Sequence, residues 1–286
     1  MAGRYIVFLC VVIVALGITL VILPDTMDLI AGYGHFFLLG VAGASVANST
    51  GSGGGIIFIP FFDALGLTVS QSVGTSIIIQ CFGMTVGGLT WLASIQSDAS
   101  RGKDRKLVMR YLLMHGGFFV IMGVLAGQYL FPDPPFPVIS VFRYFSILFG
   151  LILLALSLGR SQERHYRHRL TPVHKAVVSI VCLLGGIVTA WISIGVGEWI
   201  AVALLFLGFP TMLAVAAGVC LSSIAVLVAA YHEIYIAGDV VWKIILFAAP
   251  AAMIGGGVAR FLAVKLGAAR LKIFLATWIL VTGLVM

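Results

Sequence analysis

The chain has 286 residues, of which 61% are hydrophobic and only 9% are charged, against about 25% charged residues in a typical soluble domain. So few charges cannot cover a water-exposed surface, which excludes a soluble enzyme, a nucleic-acid-binding protein, a disordered chain and a coiled coil. The basic residues behind the net charge of +7 lie in short loops between apolar runs. The sequence therefore predicts an all-α polytopic membrane protein in a lipid bilayer, with spans of about 20 apolar residues each.

The N-terminal part contains two different kinds of apolar segment. Residues 5–23 form an uncharged run behind Arg4, and no small-residue cleavage site precedes Pro24, so we expect a first span rather than a signal peptide. Residues 29–62 are too many for one span, and the polar, glycine-rich stretch from Asn48 to Gly55 breaks their centre. Such backbone is tolerated at membrane depth only inside protein or beside a water-filled cavity. We expect two short half-helices that meet at the glycine cluster.

The remaining segments continue this pattern of full spans and one more interrupted run. Residues 176–209 are a second long apolar run, broken in its centre by the stretch from Ser193 to Glu198. The last apolar run, residues 273–286, is short for a span. Full spans are expected at residues 69–95, 107–131, 138–158, 211–231 and 240–264.

The two broken runs align without a gap at an offset of 142 residues, and both are followed by a short turn and a full span. The aligned glycine pairs are Gly53 with Gly195, Gly55 with Gly197 and Gly66 with Gly208. We therefore divide the single transmembrane domain into an N-terminal repeat, residues 1–137, and a C-terminal repeat with a final helix, residues 138–286.

Charge predicts the orientation of these repeats. Residues 101–110, 160–175 and 260–272 hold 14 of the 17 Lys and Arg residues, and loops rich in these residues face the cytoplasm. We assign the acids Asp25, Asp28, Asp133, Glu233 and Asp239 to the opposite loops. The first broken run then enters and leaves the membrane from outside as a re-entrant hairpin, and the second does so from the cytoplasm. Two inverted-topology repeats with broken helices are typical of secondary transporters.

Several motifs carry a family resemblance. The stretch from Gly51 to Pro60 (GSGGGIIFIP), Gly66 and the stretch from Ser72 to Ser76 (SVGTS) resemble the signature of the TauE/SafE, or TSUP, family of sulfite exporters. Residues 193–218 carry a degenerate copy, and residues 249–257 resemble the late part of the family pattern. The resemblance covers residues 36–262. It implies export of sulfite, sulfonates or sulfoacetate across a bacterial-type cytoplasmic (inner) membrane, with no enzyme activity and no cofactor.

A small oxyanion inside a bilayer needs hydrogen-bond donors without much permanent charge, and the N-termini of half-helices provide them. The backbones of Gly53, Gly54 and Gly55 and of Gly195 and Gly197 are the expected donors, because glycine permits a close approach. Ser76 and Gln80 lie at i, i+4 and face one point. The side chains expected to line the site are Asn48, Ser49, Ser52, Thr75, Ser76, Gln80, Ser193 and Ser222. The alternative for all these small and polar residues is helix packing and interhelical hydrogen bonding.

Glu198 is the one acid that the sequence places deep in the membrane, beside the second break. Intramembrane carboxylates are costly and tend to be functional. An ionised carboxylate beside an anion site repels the substrate, so we expect Glu198 to carry a coupling proton. A pairing with Arg260, or a place in a vestibule open to the cytoplasm, remains as an alternative.

Other features favour no metal site or enzyme. The four cysteines lie in apolar runs without metal-ligand spacing, and no catalytic triad or HExxH motif is recognisable. The pairs Gly83/Gly87 and Gly123/Gly127 fit GxxxG, which predicts tight helix contacts and leaves a homodimer open. A secondary exporter is the leading hypothesis. An anion channel with the same site, or an uptake permease for sulfur oxyanions, is the alternative.

Overall fold

The computed structural model describes residues 11–19, 22, 25–97, 102–135, 137–158, 170–194 and 196–267, and beyond these residues 270, 273, 276–277, 280–281 and 283–284. Within this part of the chain every regular element is a helix and no strand occurs. The prediction of an all-α protein is therefore confirmed.

The part of the chain that the structure describes contains eleven α-helices, numbered α1 to α11 below, and three π-helical turns. The helices are α1 (Thr26–Tyr33), α2 (His35–Thr50), α3 (Gly55–Ala64), α4 (Val69–Ser97), α5 (Gly102–Tyr111), α6 (Gly117–Leu125), α7 (Val138–Leu158), α8 (Pro172–Ile192), α9 (Val196–Phe206), α10 (Thr211–His232) and α11 (Trp242–Leu266). The π-turns are π1 (Leu112–Gly116), π2 (Ala126–Leu130) and π3 (Glu233–Ala237). Residues 11–19 are helical as well.

Five of these helical stretches are long and apolar enough to cross a membrane, as far as the described residues go. They are Val69–Gln96, Asp104–Leu130, Pro172–Ile192, Thr211–Ala237 and Trp242–Lys265. A sixth results if α1 and α2, which are bent by 48° relative to each other, are counted as one. The protein is thus a multi-pass membrane protein. The predicted span 138–158 coincides with α7, and the described residues of the final run 273–286 are helical.

Helices α4 and α10 pack antiparallel. The Cys81 thiol near the middle of α4 donates to the Val226 carbonyl at 3.2 Å, and the Cys220 thiol donates to the Gly88 carbonyl at 3.6 Å. The residue numbers rise along one helix as they fall along the other, which fixes the antiparallel direction. The start of α4 therefore lies beside the end of α10.

Each half of the chain packs one helix against the other half. Helix α11 lies on α2, where a side chain on Gly40 would meet the Ala248 backbone and one on Gly255 would meet the Val41 carbonyl. In the same way α6 lies on α8, where Gly123 faces the Leu183 carbonyl. Small residues allow such close backbone approach between membrane helices.

The GxxxG pairs serve contacts within the chain. Gly83 faces Ala252, and Gly87 faces the Asn48 side chain. Gly123 packs on α8 as described above, and Gly127 faces Ala190 on the same helix. The predicted tight helix contacts are confirmed, and these four glycines are occupied inside one molecule rather than exposed for a second copy.

The two broken runs share their boundaries. The ends of α2 and α8, the ends of α3 and α9, and the starts of α4 and α10 are all 142 residues apart. Both first helices end on a residue in the left-handed region, Gly51 with φ 83° and Ser193 with φ 57°. The next turns also match, because Gly66 and Gly208 have φ values of 78° and 82°. The offset predicted from the glycines thus recurs in the helix boundaries and in the backbone conformation.

Candidate functional site

The two breaks in the helices lie against each other. We call residues 51–54, between α2 and α3, the first tip, and residues 193–195, between α8 and α9, the second tip. A side chain on Gly55, directly after the first tip, would collide with the Ser193 carbonyl and with the Ile194 side chain. Gly195 lies outside the described residues. A glycine is therefore required at position 55 for the tips to meet.

The N–H of Gly53 donates to Oε1 of Glu198. Glu198 lies in the first turn of α9 and is only 1% exposed. These two residues are 145 positions apart in the chain. Glu198 is thus enclosed by protein, and its carboxylate contacts the backbone of the other half of the chain.

Gln80, on α4, joins both tips through one amide group. Its oxygen accepts the Gly54 N–H at 2.7 Å, and its Nε2 donates to Ser193 Oγ at 2.7 Å and to Ser76 Oγ at 3.1 Å. The Ser193 hydroxyl in turn donates to Ser76 Oγ at 3.0 Å. The side chains of Ser76, Gln80 and Ser193 are each at most 3% exposed, and Gly54 is buried as well. The expected pairing of Ser76 with Gln80 is confirmed.

The second tip has a further support that the sequence did not single out. Thr189 Oγ1, one turn before the end of α8, accepts the Val196 N–H at 3.1 Å and donates to the Gly185 carbonyl at 2.7 Å. The Val196 N–H is one of the first N–H groups of α9, which have no partner inside the helix. Thr189 thus holds the start of α9 against the end of α8.

The remaining predicted site residues lie around this network rather than in it. A side chain on Gly197 would meet Ser222 Oγ and the Gly51 carbonyl. Gly197 and Ser222 therefore lie where α9 crosses α10. The Ser49 hydroxyl donates to the Val46 carbonyl at 3.0 Å, and Ser52 Oγ accepts from Thr50 at 3.2 Å.

Thr75 lies apart from the tips. Its Oγ1 accepts the Val241 N–H at 3.0 Å, directly before α11. It therefore satisfies a backbone donor at the entry of another helix. Its neighbour Ser76 faces the tips because the helical turn of about 100° per residue separates the two side chains.

A small cavity of about 10 Å³ lies beside Gly54. Its lining includes Asn48, Phe58, Gln80, Met84 and Ala252. Oδ1 of Asn48 is buried without a hydrogen-bond partner, while its Nδ2 donates to the Ala44 carbonyl at 2.8 Å. A cavity needs about 10–15 Å³ to hold one water molecule, so this one has no room for an oxyanion unless the tips move apart.

The prediction that Glu233 lies in a loop is wrong. In the structure it opens π3, lies inside the span Thr211–Ala237 and is only 6% exposed. The sequence signal was present, since the apolar run resumes with Ile234-Tyr235-Ile236-Ala237 after the acid. Ending the span at the first charged residue made it about one and a half turns too short.

Comparison with known proteins agrees with the motifs at the tips. A family model described as "Sulfite exporter TauE/SafE" matches residues 36–286. No curated protein and no solved structure matches the chain. The match includes both tips and all five of the long apolar helical stretches, and members of this family are membrane transporters. The chain therefore belongs to the sulfite exporter TauE/SafE family.

Proposed function

We propose that this protein exports a small sulfur-containing oxyanion, such as sulfite or a sulfonate, and that the two tips bind it. The observation that carries the proposal is the pair of neighbouring N–H groups of Gly53 and Gly54, which meet side-chain oxygens of Glu198 and Gln80. These oxygens occupy the positions that the oxygens of a bound anion would take. The family match supports the substrate class.

The chemistry of the tips suits such an anion. A sulfur oxyanion offers only acceptor oxygens, and backbone N–H groups at a helix start provide donors for them with the helix dipole in support. Ser76, Ser193 and the Gln80 amide add neutral donors within the same network. Neutral donors favour the anion without the permanent countercharge that would hold it too firmly for release.

Glu198 supplies a means of coupling in this proposal. Its ionised carboxylate competes with the substrate for the Gly53 N–H, because both present a negatively charged oxygen. Protonation of Glu198 removes that competitor and the repulsion between the two negative charges. Proton uptake and substrate binding would then favour each other. A structural pairing of Glu198 with Arg260 is the competing account.

We further propose that the halves, residues 1–137 and 138–286, are inverted-topology repeats whose broken runs are re-entrant hairpins. The shared offset of the helix ends and the matched left-handed residues at positions 51 and 193 support a repeat. The separation of basic and acidic loops supports opposite orientations. Rocking of one repeat against the other would expose the tips to each side in turn.

The test is a binding and flux panel on the purified protein, with sulfite, sulfoacetate, thiosulfate and sulfate as separate probes. We expect saturable binding of sulfite or of the sulfonate, and exchange of labelled substrate across liposomes that saturates with concentration. Flux that rises without saturation and conducts current would indicate a channel. Absence of binding for all four probes would refute the proposed substrate class.

A further inference from the structure

A second buried polar cluster lies away from the tips, where π2 and π3 face each other. Gln128 on π2 donates through Nε2 to the Ala229 carbonyl at 3.0 Å and to Glu233 Oε1 at 3.5 Å. His232 Nδ1 lies 3.4 Å from the same carboxylate oxygen. The Tyr129 ring contacts the His232 ring edge-on, with centroids 5.6 Å apart. Two π-turns from different halves of the chain thus meet through polar side chains.

The carboxylate of Glu233 is enclosed but weakly paired. Glu233 and Gln128 are each 6% exposed, and a side chain on Gly74 would approach Glu233 Oε2 to 3.1 Å. Among the described residues, His232 is the only basic side chain within 4 Å of this carboxylate. Oε1 of Gln128 is buried and has no hydrogen-bond partner. A buried ionised carboxylate is costly without a close cation, and the Gln128 amide gives it only one long hydrogen bond, at 3.5 Å.

The position of the cluster places it between the tips and one membrane surface. Gly74 precedes Gln80 by six residues on α4, which corresponds to about 9 Å along the helix axis. The cluster therefore lies on the side of the tips where α4 begins and where α10 and π2 end. Single π-turns inside α-helices occur frequently at functional sites, and two of them coincide here with an intramembrane acid, which is itself a mark of function.

We propose that Glu233 is a second proton-binding residue of this transporter, with Gln128 as the residue that positions its carboxyl group. Glu233 takes a proton from water at the membrane surface where α4 begins. It returns the proton to water at the same surface and does not pass it to another residue. The titratable groups around it are His232 on the preceding turn, Tyr129 on π2 and Asp239 on the linker to α11. Helix α4 presents Gly74, which cannot titrate.

Proton binding can be tested without substrate, so its failure is distinguishable from failure of the proposed transport function. Infrared difference spectra of the purified protein between acidic and alkaline pH should contain a band of a protonated carboxyl group that disappears in Glu233→Gln. The band should persist in Asp133→Asn, an exposed acid at the same end of the molecule. A band unchanged in Glu233→Gln would overturn the proposal.

The flux assay rests on the proposed function and provides a second readout. We expect Glu233→Gln to remove one step from the pH profile of sulfonate exchange and to leave the step that depends on Glu198. Glu233→Asp should keep both steps with one midpoint shifted, and Gln128→Leu should shift that midpoint as well. His232→Gln should keep a pH-dependent profile. If His232→Gln removes this step and Glu233→Gln does not, the histidine is the titrating group and the proposal fails.

Discussion

The neighbouring N–H groups of Gly53 and Gly54 donate to acceptors in different halves of the chain. Gly53 donates to Glu198 and Gly54 to Gln80. Gly54 has φ −66° and ψ −20°, which any residue adopts, whereas Gly51 has φ 83°. Glycine is needed at position 51 for its backbone conformation and at position 54 for space. A substitution at position 51 therefore strains the backbone, whereas one at position 54 causes a steric clash.

We predict that Gly54→Leu weakens anion binding by at least about tenfold, since a hydrogen bond to a charged group contributes about 1.5–3 kcal/mol. A Cβ at this position would lie 2.8 Å from Phe58 Cε2 and 2.9 Å from Gln80 Cγ, which displaces the Gln80 amide. Titration with sulfite measures the loss. Gly32→Leu is the matched control, because no atom lies within 4 Å of its added Cβ. Equal affinity of a folded Gly54→Leu protein and the control would exclude the first tip as the site.

We predict that Glu198→Gln retains substrate binding and loses flux driven by a proton gradient. A neutral glutamine, like the protonated acid, does not repel the substrate, but its amide cannot take up or release a proton. Binding titrations and accumulation in liposomes with an imposed pH gradient separate the two effects. Gradient-driven accumulation that persists in Glu198→Gln would remove this residue from the coupling mechanism and favour its pairing with Arg260.

At the scale of the elements, the glycine-rich polar stretches predicted where the helices break. Helices α2 and α8 end at Gly51 and Ser193, and both of these residues have a left-handed backbone. It did not predict which acceptor meets which N–H group. The contact of Gly53 with Glu198 spans 145 residues, and that of Thr75 with Val241 spans 166. Such pairings depend on how α9 and α11 dock, which local sequence does not encode.

The second tip yields a prediction at the level of one element. Thr189→Val should lower the free energy of unfolding by about 1–3 kcal/mol, because the buried Val196 N–H loses its acceptor. Thr90→Val is the control, since the Thr90 hydroxyl only donates to the carbonyl one turn earlier, at 2.8 Å. Denaturation midpoints of the purified proteins in detergent measure both changes. Equal losses would mean that Thr189 has no special role in holding α9.

At the scale of the whole molecule, the packing supports the charge-based topology at one point. Gln128 contacts Glu233, Asp133 follows Gln128 by five residues, and Asp239 follows Glu233 by six. The two exposed acids, Asp133 and Asp239, therefore lie at the same end of the molecule. The sequence assigned both to the outer side from charge alone, without knowledge of this contact.

We predict that single cysteines at positions 133 and 239 react with an impermeant thiol reagent in intact cells, and that cysteines at positions 105 and 167 react only after the membrane is opened. The background should lack the four native cysteines, so that each signal reports one site. The physical reason is that loops rich in Lys and Arg stay in the cytoplasm, and residues 160–175 carry five such side chains.

The pair 133 and 239 acts as an internal control, because packing places both at one end whichever way the protein is inserted. Labelling of position 167 but not of position 133 in intact cells would reverse the orientation and refute the assignment of the first hairpin to the outer side and the second to the cytoplasm.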